Sequence, residues 1–468
     1  MGLMLEFLKI SQNIFLVYLL GYASFLLLSL VIAGVYLHEK SERRRHQSSS
    51  EDADEVGVSI IIPAYNEEVT IVDSVTSLLN LDYQSYEIIV VDDGSEDATA
   101  RLVRENFELE EEDVTINLFI PCHPYHRISK RQFGHVTLTL IEKENGGKGD
   151  ALNLGVNAAI HDYFLCIDAD SMLQADSLKQ ITKPVRQDAT TIAVGGLVQV
   201  SQGVRLSKGS VKDYKLPWQP LCCAQAIEYD CSFLGSRILL DYFKANAIIS
   251  GAFGLFHKEM VQAVGGYDCG TLGEDMELVM KLHYFCRNNK IPYQICYETD
   301  AVCWSQAPSH LGDLCQQRRR WFFGLYQCLK KYHRMFLNPR FGALGFLTFP
   351  YYFLFELLCP FLEVFGISLI LLSFYFHQSN WSFLLSLFVL YIVYCSLLTM
   401  ASFLQRVYAQ RLFIRGNDVL KAIYTAFFRY MVLHWIISFM QVTSFIGYKH
   451  KKMRWGEIKR DKVEKVSP

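Results

Sequence analysis

Both ends of this chain are apolar and its middle is not, which limits what it can fold into. From Ser11 to Leu37 there is no formal charge. At ~1.5 Å of rise per residue, a helix over that run is long enough to cross a bilayer. Lys40, Arg43, Arg44 and Arg45 follow the run, and Lys9 is the one basic residue before it. The asymmetry reads as a membrane anchor with the following domain on the cytoplasmic side. A cleaved signal peptide is the alternative, but the positive charge is on the wrong flank and the run exceeds a usual h-region. Near the other end, Phe341 to Tyr375 is apolar apart from Glu356 and Glu363, with Pro350 and Pro360 inside it. It is too long for one straight crossing and reads as an interfacial helix plus a span, or as a re-entrant hairpin. Trp381 to Leu404 reads as a clean span, with Arg406, Arg411, Arg415 and Lys421 behind it. Tyr430 to Tyr448 reads as a weaker one, followed by Lys449, Lys451, Lys452 and Arg454. The number of crossings after the middle stays open.

The composition fits a protein that is only partly in water. Charged residues make up 20% and aromatics 14%, and the mean hydropathy is +0.15. A net charge of −3 over 468 residues gives no electrostatic footprint for nucleic acid. The 13 cysteines form no CxxC pair and no zinc spacing, so they read as reduced core residues.

The middle of the chain alternates between two periods. Val58 to Ile62 is a short β-branched run, Glu67 to Asn80 has helical spacing, and Glu87 to Val91 is apolar again. A helix from Asp97 to about Phe107, strands at Thr137–Ile141 and Phe164–Ile167, and a helix from about Asp150 continue the pattern. Strand, helix, strand, helix predicts a parallel sheet of βαβ units, in which ligands sit beyond the carboxyl ends of the strands. Residues 108–140 break the rhythm and read as an inserted loop. His123 and His126 in it have HxxH spacing, which reads as two solvated histidines, with a metal site as the alternative.

Several polar clusters fall at those strand ends. Asp168-Ala169-Asp170 can place carboxylates on a Mg2+ or Mn2+ ion that bridges a diphosphate, or can be an acidic turn before a helix. Pro63-Ala64-Tyr65-Asn66-Glu67 and Asp92-Asp93 can accept bonds from a uracil N–H or a ribose hydroxyl, or can cap helices. Lys148 follows two glycines at a helix start, which suits a phosphate or a ribose. Ser250-Gly251-Ala252-Phe253-Gly254 is small enough to line an acceptor channel. Glu274 and Asp275 follow a glycine turn, where a carboxylate can deprotonate an acceptor hydroxyl or simply satisfy the helix dipole. In Gln317-Arg318-Arg319-Arg320-Trp321, arginine can pair with phosphate and tryptophan can stack on a sugar, or the string can bind lipid headgroups.

Taken together, VSIIIPAYNEE, IIVVDDGSEDAT, NGGKGDALN, CIDADS, ISGAFGLF, GGYDCGTLGEDMEL and QRRRW resemble the membrane-bound family-2 glycosyltransferases. That family includes the synthases of cellulose, hyaluronan and poly-N-acetylglucosamine. The pieces run from Val58 to Trp321 in the family's order. The resemblance implies an α/β GT-A fold with a Rossmann-like sheet between N- and C-terminal transmembrane helices. It implies inverting transfer of a hexose from a UDP-sugar, with UDP-GlcNAc or UDP-glucose expected. Tyr65, Glu67, Asp92, Asp93, Lys148 and Asp168 would hold the donor nucleotide, and Asp168 and Asp170 the metal. Asp275, beside Glu274, would be the base, and Gln317, Arg320 and Trp321 would hold the diphosphate and the acceptor end. Two departures stand out: GED replaces the commoner TED, and the 108–140 insertion is long for the poly-N-acetylglucosamine group.

The expected organisation is an anchor (1–40), a charged linker (41–55), a catalytic domain (56–310), an interfacial segment (311–340), a membrane region (341–448) and a basic tail (449–468). A multi-pass synthase of the bacterial inner membrane, extending a β-linked polymer and threading it outward, is the leading reading. Addition of one sugar to a lipid carrier is the second, and a non-enzymatic export subunit the third. A small accessory membrane subunit is compatible with all three, and nothing calls for nucleic acid.

Overall fold

The computed structural model describes residues 2–46, 55–207, 210–375 and 381–446. Most of the expected linker, the end of the Tyr430–Tyr448 segment and the basic tail lie outside the described residues. The strands are β1 (Val58–Ala64), β2 (Tyr86–Asp92), β3 (Glu110–Glu111), β4 (Tyr125–Phe133), β5 (Val136–Lys143) and β6 (Tyr163–Ile167). They continue with β7 (Met172–Leu173), β8 (Thr191–Val200), β9 (Val204–Ser207), β10 (Ser210–Tyr214), β11 (Phe253–His257) and β12 (Gln294–Ser305). Ten of them form one sheet in the order β3-β4-β5-β2-β1-β6-β11-β8-β12-β7, and β9 and β10 pair separately.

The sheet is mixed, where the periodicity predicts a parallel one. β5, β2, β1 and β6 are parallel, but β11 runs antiparallel to both β6 and β8. The reversal places the start of β11, and Ser250 to Ala252 before it, at the edge where β1, β2 and β6 end. The central strands are buried throughout and mostly apolar because both faces are covered. Ile60, Ile62, Ile88 and Val90 pack into one core, while Ile61, Ile89 and Val91 point into the other. The 108–140 insertion also differs from expectation. It contains β4, which turns at Gly134 and pairs antiparallel with β5.

Three helical segments among the described residues are long and apolar enough to cross a membrane: Asn13–Arg43, Leu384–Gln410 and Gly416–Thr443. The last starts well before the expected Tyr430. Leu344–Leu357 and Cys359–Tyr375 form a pair bent by 41°, a broken span or a re-entrant loop. Polar contacts tie these segments to the sheet domain. Lys40, near the end of the first helix, pairs with Glu298 and lies 3.5 Å from Asp300, both on β12. Arg406, on the helix Trp381–Gln410, is buried against Asp230 at 3.3 Å and the Tyr214 hydroxyl at 2.8 Å. Asp418 accepts the Leu216 N–H at 3.2 Å, which fixes the start of the Gly416 segment.

Candidate active site

Beyond the carboxyl ends of β1 and β6 lies a cleft of about 320 Å³, at the small end of the roughly 300–1,000 Å³ usual for ligand sites. From the sheet edge, Glu67, Lys148, Asp168 and Asp170 line it; from the first turn of the helix Glu274–Asn289, Glu274 and Asp275 do; and from the helix Leu311–Lys331 come Gln317, Arg320 and Trp321. Tyr65, Asp92 and Asp93 lie off the cleft, at the ends of β1 and β2.

Lys148 is the hub. Gly147 before it has φ +89°, which L side chains rarely adopt, and this turns the chain from β5 into the helix Lys148–Ala158. The Lys148 ammonium stands 2.7 Å from Asp168 Oδ1 and 3.8 Å from Glu274 Oε1. Burial works against its charge, but Asp168 and Glu274 outweigh that and hold its pKa above the usual lysine value. Glu274 itself is pushed up by burial, with Lys148 opposing and Asp275 adding to the rise. The Asp275 carboxylate accepts the N–H of Gly251 at 3.3 Å and that of Met276 at 2.8 Å. Asp170 is buried beside the hydroxyls of Ser171, at 3.2 Å, and Ser305, at 3.4 Å.

The three arginines of the basic string go different ways, as successive helix positions must. Arg318 makes two bonds to Glu228, at 2.7 and 3.1 Å, and lies over the Trp321 ring at 4.6 Å. Arg319 points toward Met440, on the Gly416–Thr443 segment. Arg320 forms no ion pair among the described residues and lines the cleft. The Gln317 side-chain oxygen is buried there with no hydrogen-bond partner among the described residues.

Sequence reasoning missed the helix Pro220–Cys231 and the turns after it. Glu228, Tyr229, Phe233 and Arg237 from this region line the cleft, as does Tyr352 from the bent pair. A signal was present: Glu228 and Asp230 are isolated acids in an otherwise apolar stretch, and such charges need partners.

Comparison with known proteins bears on the family and the fold. A family model described as "Glycosyl transferase family 2" matches residues 59–118, and one described as "Glycosyltransferase like family 2" matches residues 127–324. A poly-beta-1,6-N-acetyl-D-glucosamine synthase of Staphylococcus aureus is 31% identical over 360 residues, 76% of this chain and 74% of that one. The synthase of the same name from Staphylococcus epidermidis is 30% identical over 317 residues, and the match spans 66% of its length. Among solved structures, the mannosyltransferase PcManGT from Pyrobaculum calidifontis, in complex with GDP-Man and Mn2+, covers 88% of this chain and 98% of its own at a TM-score of 0.52 and 19% identity. The fold is that of a sugar-transferring enzyme with a GT-A domain. The chain belongs to glycosyltransferase family 2.

Proposed function

We propose that this enzyme transfers a hexose, with inversion, from a UDP-sugar to a growing β-linked polysaccharide at the cytoplasmic face of a bacterial inner membrane. UDP-GlcNAc is the favoured donor, because the relatives at 30–31% identity are named as poly-N-acetylglucosamine synthases; UDP-glucose is the alternative. The observation that carries the reading is the Lys148–Asp168 contact of 2.7 Å in the same cleft as Asp275 and Arg320.

Asp275 takes the proton of the acceptor hydroxyl. The freed oxygen forms a bond to C1 of the donor sugar, and the C1–O bond to UDP breaks, its electron pair leaving with UDP. Lys148 and Arg320 stabilise the charge that grows on the diphosphate. Gln317 supplies a further polar contact, and Trp321 stacks on the acceptor end. Glu67 and Asp168 bind the nucleotide side, with Tyr65 and Asp92 off the cleft at the strand ends and Asp93 buried behind it. Asp168 and Asp170 would hold a divalent ion, since hard carboxylate oxygens suit Mg2+ or Mn2+. Such an ion would neutralise charge on the leaving group. Tyr352, from the bent membrane segment, lines the same cleft, which supports delivery of the acceptor end toward the membrane and coupled export.

UDP release from membrane vesicles, across a panel of UDP-sugars, tests this. One sugar that turns over with wild type and not with Asp275→Asn names the donor. No turnover with any sugar overturns the reading. A product ladder supports chain extension, and a single discrete product favours one addition to a lipid carrier.

A further inference from the structure

Behind the cleft lies a second charged cluster that is closed to solvent. Lys143, the last residue of β5, is fully buried, and so is Asp93. The Lys143 ammonium lies 2.7 Å from Asp93 Oδ1 and 2.7 Å from Asp150 Oδ2. Burial alone would lower the Lys143 pKa, but its bonds to Asp150 and Asp93 outweigh this and hold it above the usual lysine value. One cation thus faces two buried carboxylates, and the remaining lone pairs need donors.

The glycine loop supplies them. Gly146 donates its N–H to Asp93 Oδ1 at 3.0 Å, and Gly147 donates to Oδ2 at 2.7 Å. The Asn145 side chain bonds the Asp93 carbonyl at 2.8 Å. Every one of these contacts precedes Lys148 by a few residues at most. The loop's conformation, and so the origin of the Lys148 side chain, is set by Asp93 and Lys143 from behind.

The 108–140 insertion closes the cluster from outside. His123 donates its N–H to Asp150 Oδ1 at 3.1 Å, and its Nδ1 is 3.2 Å from the same oxygen. The Asn157 side chain accepts the N–H groups of Phe119 and Ile120, at 3.1 and 3.0 Å, and donates to the Ile120 carbonyl at 2.8 Å. The Glu144 N–H reaches the Pro124 carbonyl at 3.1 Å. A Cβ on Gly146 would stand 2.7 Å from His123 Nδ1, so strap and loop are in contact. None of Lys143, Asp93, Asp150 and His123 lines the cleft.

We propose that Lys143, with Asp93, Asp150 and the strap of residues 119–124, is a positioning device that fixes the glycine loop and thereby aims Lys148 at the donor diphosphate. The proposal rests on the donor reading of the cleft given above. It also gives the insertion a task. The insertion acts on donor affinity through the loop, without touching the donor.

The test is UDP binding with Mn2+ to the full-length protein in detergent, for wild type, Lys148→Ala, Asp150→Asn and the double variant. Asp150→Asn keeps the side chain's shape and removes one buried charge. It should weaken UDP by about tenfold, the scale seen when a group that orients a binding residue is lost. In the Lys148→Ala background the same change should shift affinity by less than about twofold, since groups that act through one another are non-additive. An unchanged affinity in Asp150→Asn, or a fully additive double variant, overturns the proposal. Should Asp150→Asn not fold, Asn157→Ala loosens the strap without disturbing the buried ions, and the same cycle with Lys148→Ala decides. If Lys148→Ala alone leaves UDP affinity at the wild-type value, the donor reading of the cleft is what fails.

Discussion

Gly324 rests directly on Gly273. A Cβ at position 324 would stand 2.7 Å from the Gly273 nitrogen and 2.8 Å from its Cα. Gly273 immediately precedes Glu274 and Asp275, and Gly324 lies one turn beyond Arg320 and Trp321 on the helix Leu311–Lys331. Two residues without side chains thus let the helix touch the acidic turn, backbone to backbone. The Gln327 side-chain oxygen secures the contact by accepting the Leu272 N–H at 2.9 Å. Asp275, proposed as the base, and Arg320 and Trp321, proposed to hold the diphosphate and the acceptor end, come from different helices and are held together here.

Gly324→Ala should therefore separate them. A methyl group has no room, and overpacking of this kind costs about 1–3 kcal/mol. Displacement of the acidic turn should lower transfer by about tenfold or more. Thermal melting of the purified protein and UDP release from vesicles check the two effects. Wild-type activity in the variant would show that the contact has slack.

Asp275→Asn should reduce transfer by about 10²-fold or more, the usual contribution of a general base. UDP affinity should stay close to wild type, because the side chain acts on the acceptor. Titration of UDP alongside the rate assay separates the two. A near wild-type rate would remove Asp275 from its role.

Asp170→Asn removes one of the two carboxylates offered to a divalent ion. The Mn2+ concentration that half-saturates UDP binding should rise by about tenfold. A metal dependence identical to wild type would mean that Asp170 has no part in holding the ion.

Asp241 gives a pH-dependent test at the foot of the N-terminal helix. Burial, then repulsion from Glu298, pushes its pKa up to about 8 from 3.8, with Lys40 opposing. The folded state therefore binds this proton more tightly than the unfolded state does. Its stabilising contribution is complete below pH 3.8 and is lost as pH rises toward about 8. Asp241→Asn should raise the melting temperature at pH 8 by about 2–4 °C, with a smaller gain at pH 5. An equal gain at both values, or a loss at pH 8, contradicts the assignment.

Much of the site was legible in the sequence. Buried parallel strands are continuous apolar runs, so the acids that end them are conspicuous, and Asp92, Asp93, Asp168 and Asp170 were placed at strand ends correctly. The apolar ends were legible for a similar reason, since a membrane demands a long uncharged helix. The insertion was not. Its strand β4 is half-exposed and mixes Arg, Lys, Ser and Gln with a few apolar residues, so the alternation is weak and only pairing with β5 makes it a strand.

Which residues carry charge, where the apolar runs stop and in what order the acids come can all be read along the chain. The partners of those charges emerge with the folded chain alone. Lys148 meets Asp168 twenty positions on, Arg318 meets Glu228 ninety positions back, and Lys143 is shared by Asp93 and Asp150. The antiparallel turn of β11 carries Ser250 to Ala252 to the same edge. The physical reason is that hydrophobic period is a local property, readable from neighbours in the chain. The partner of a buried charge is set by proximity in space and by the loss of water around both groups.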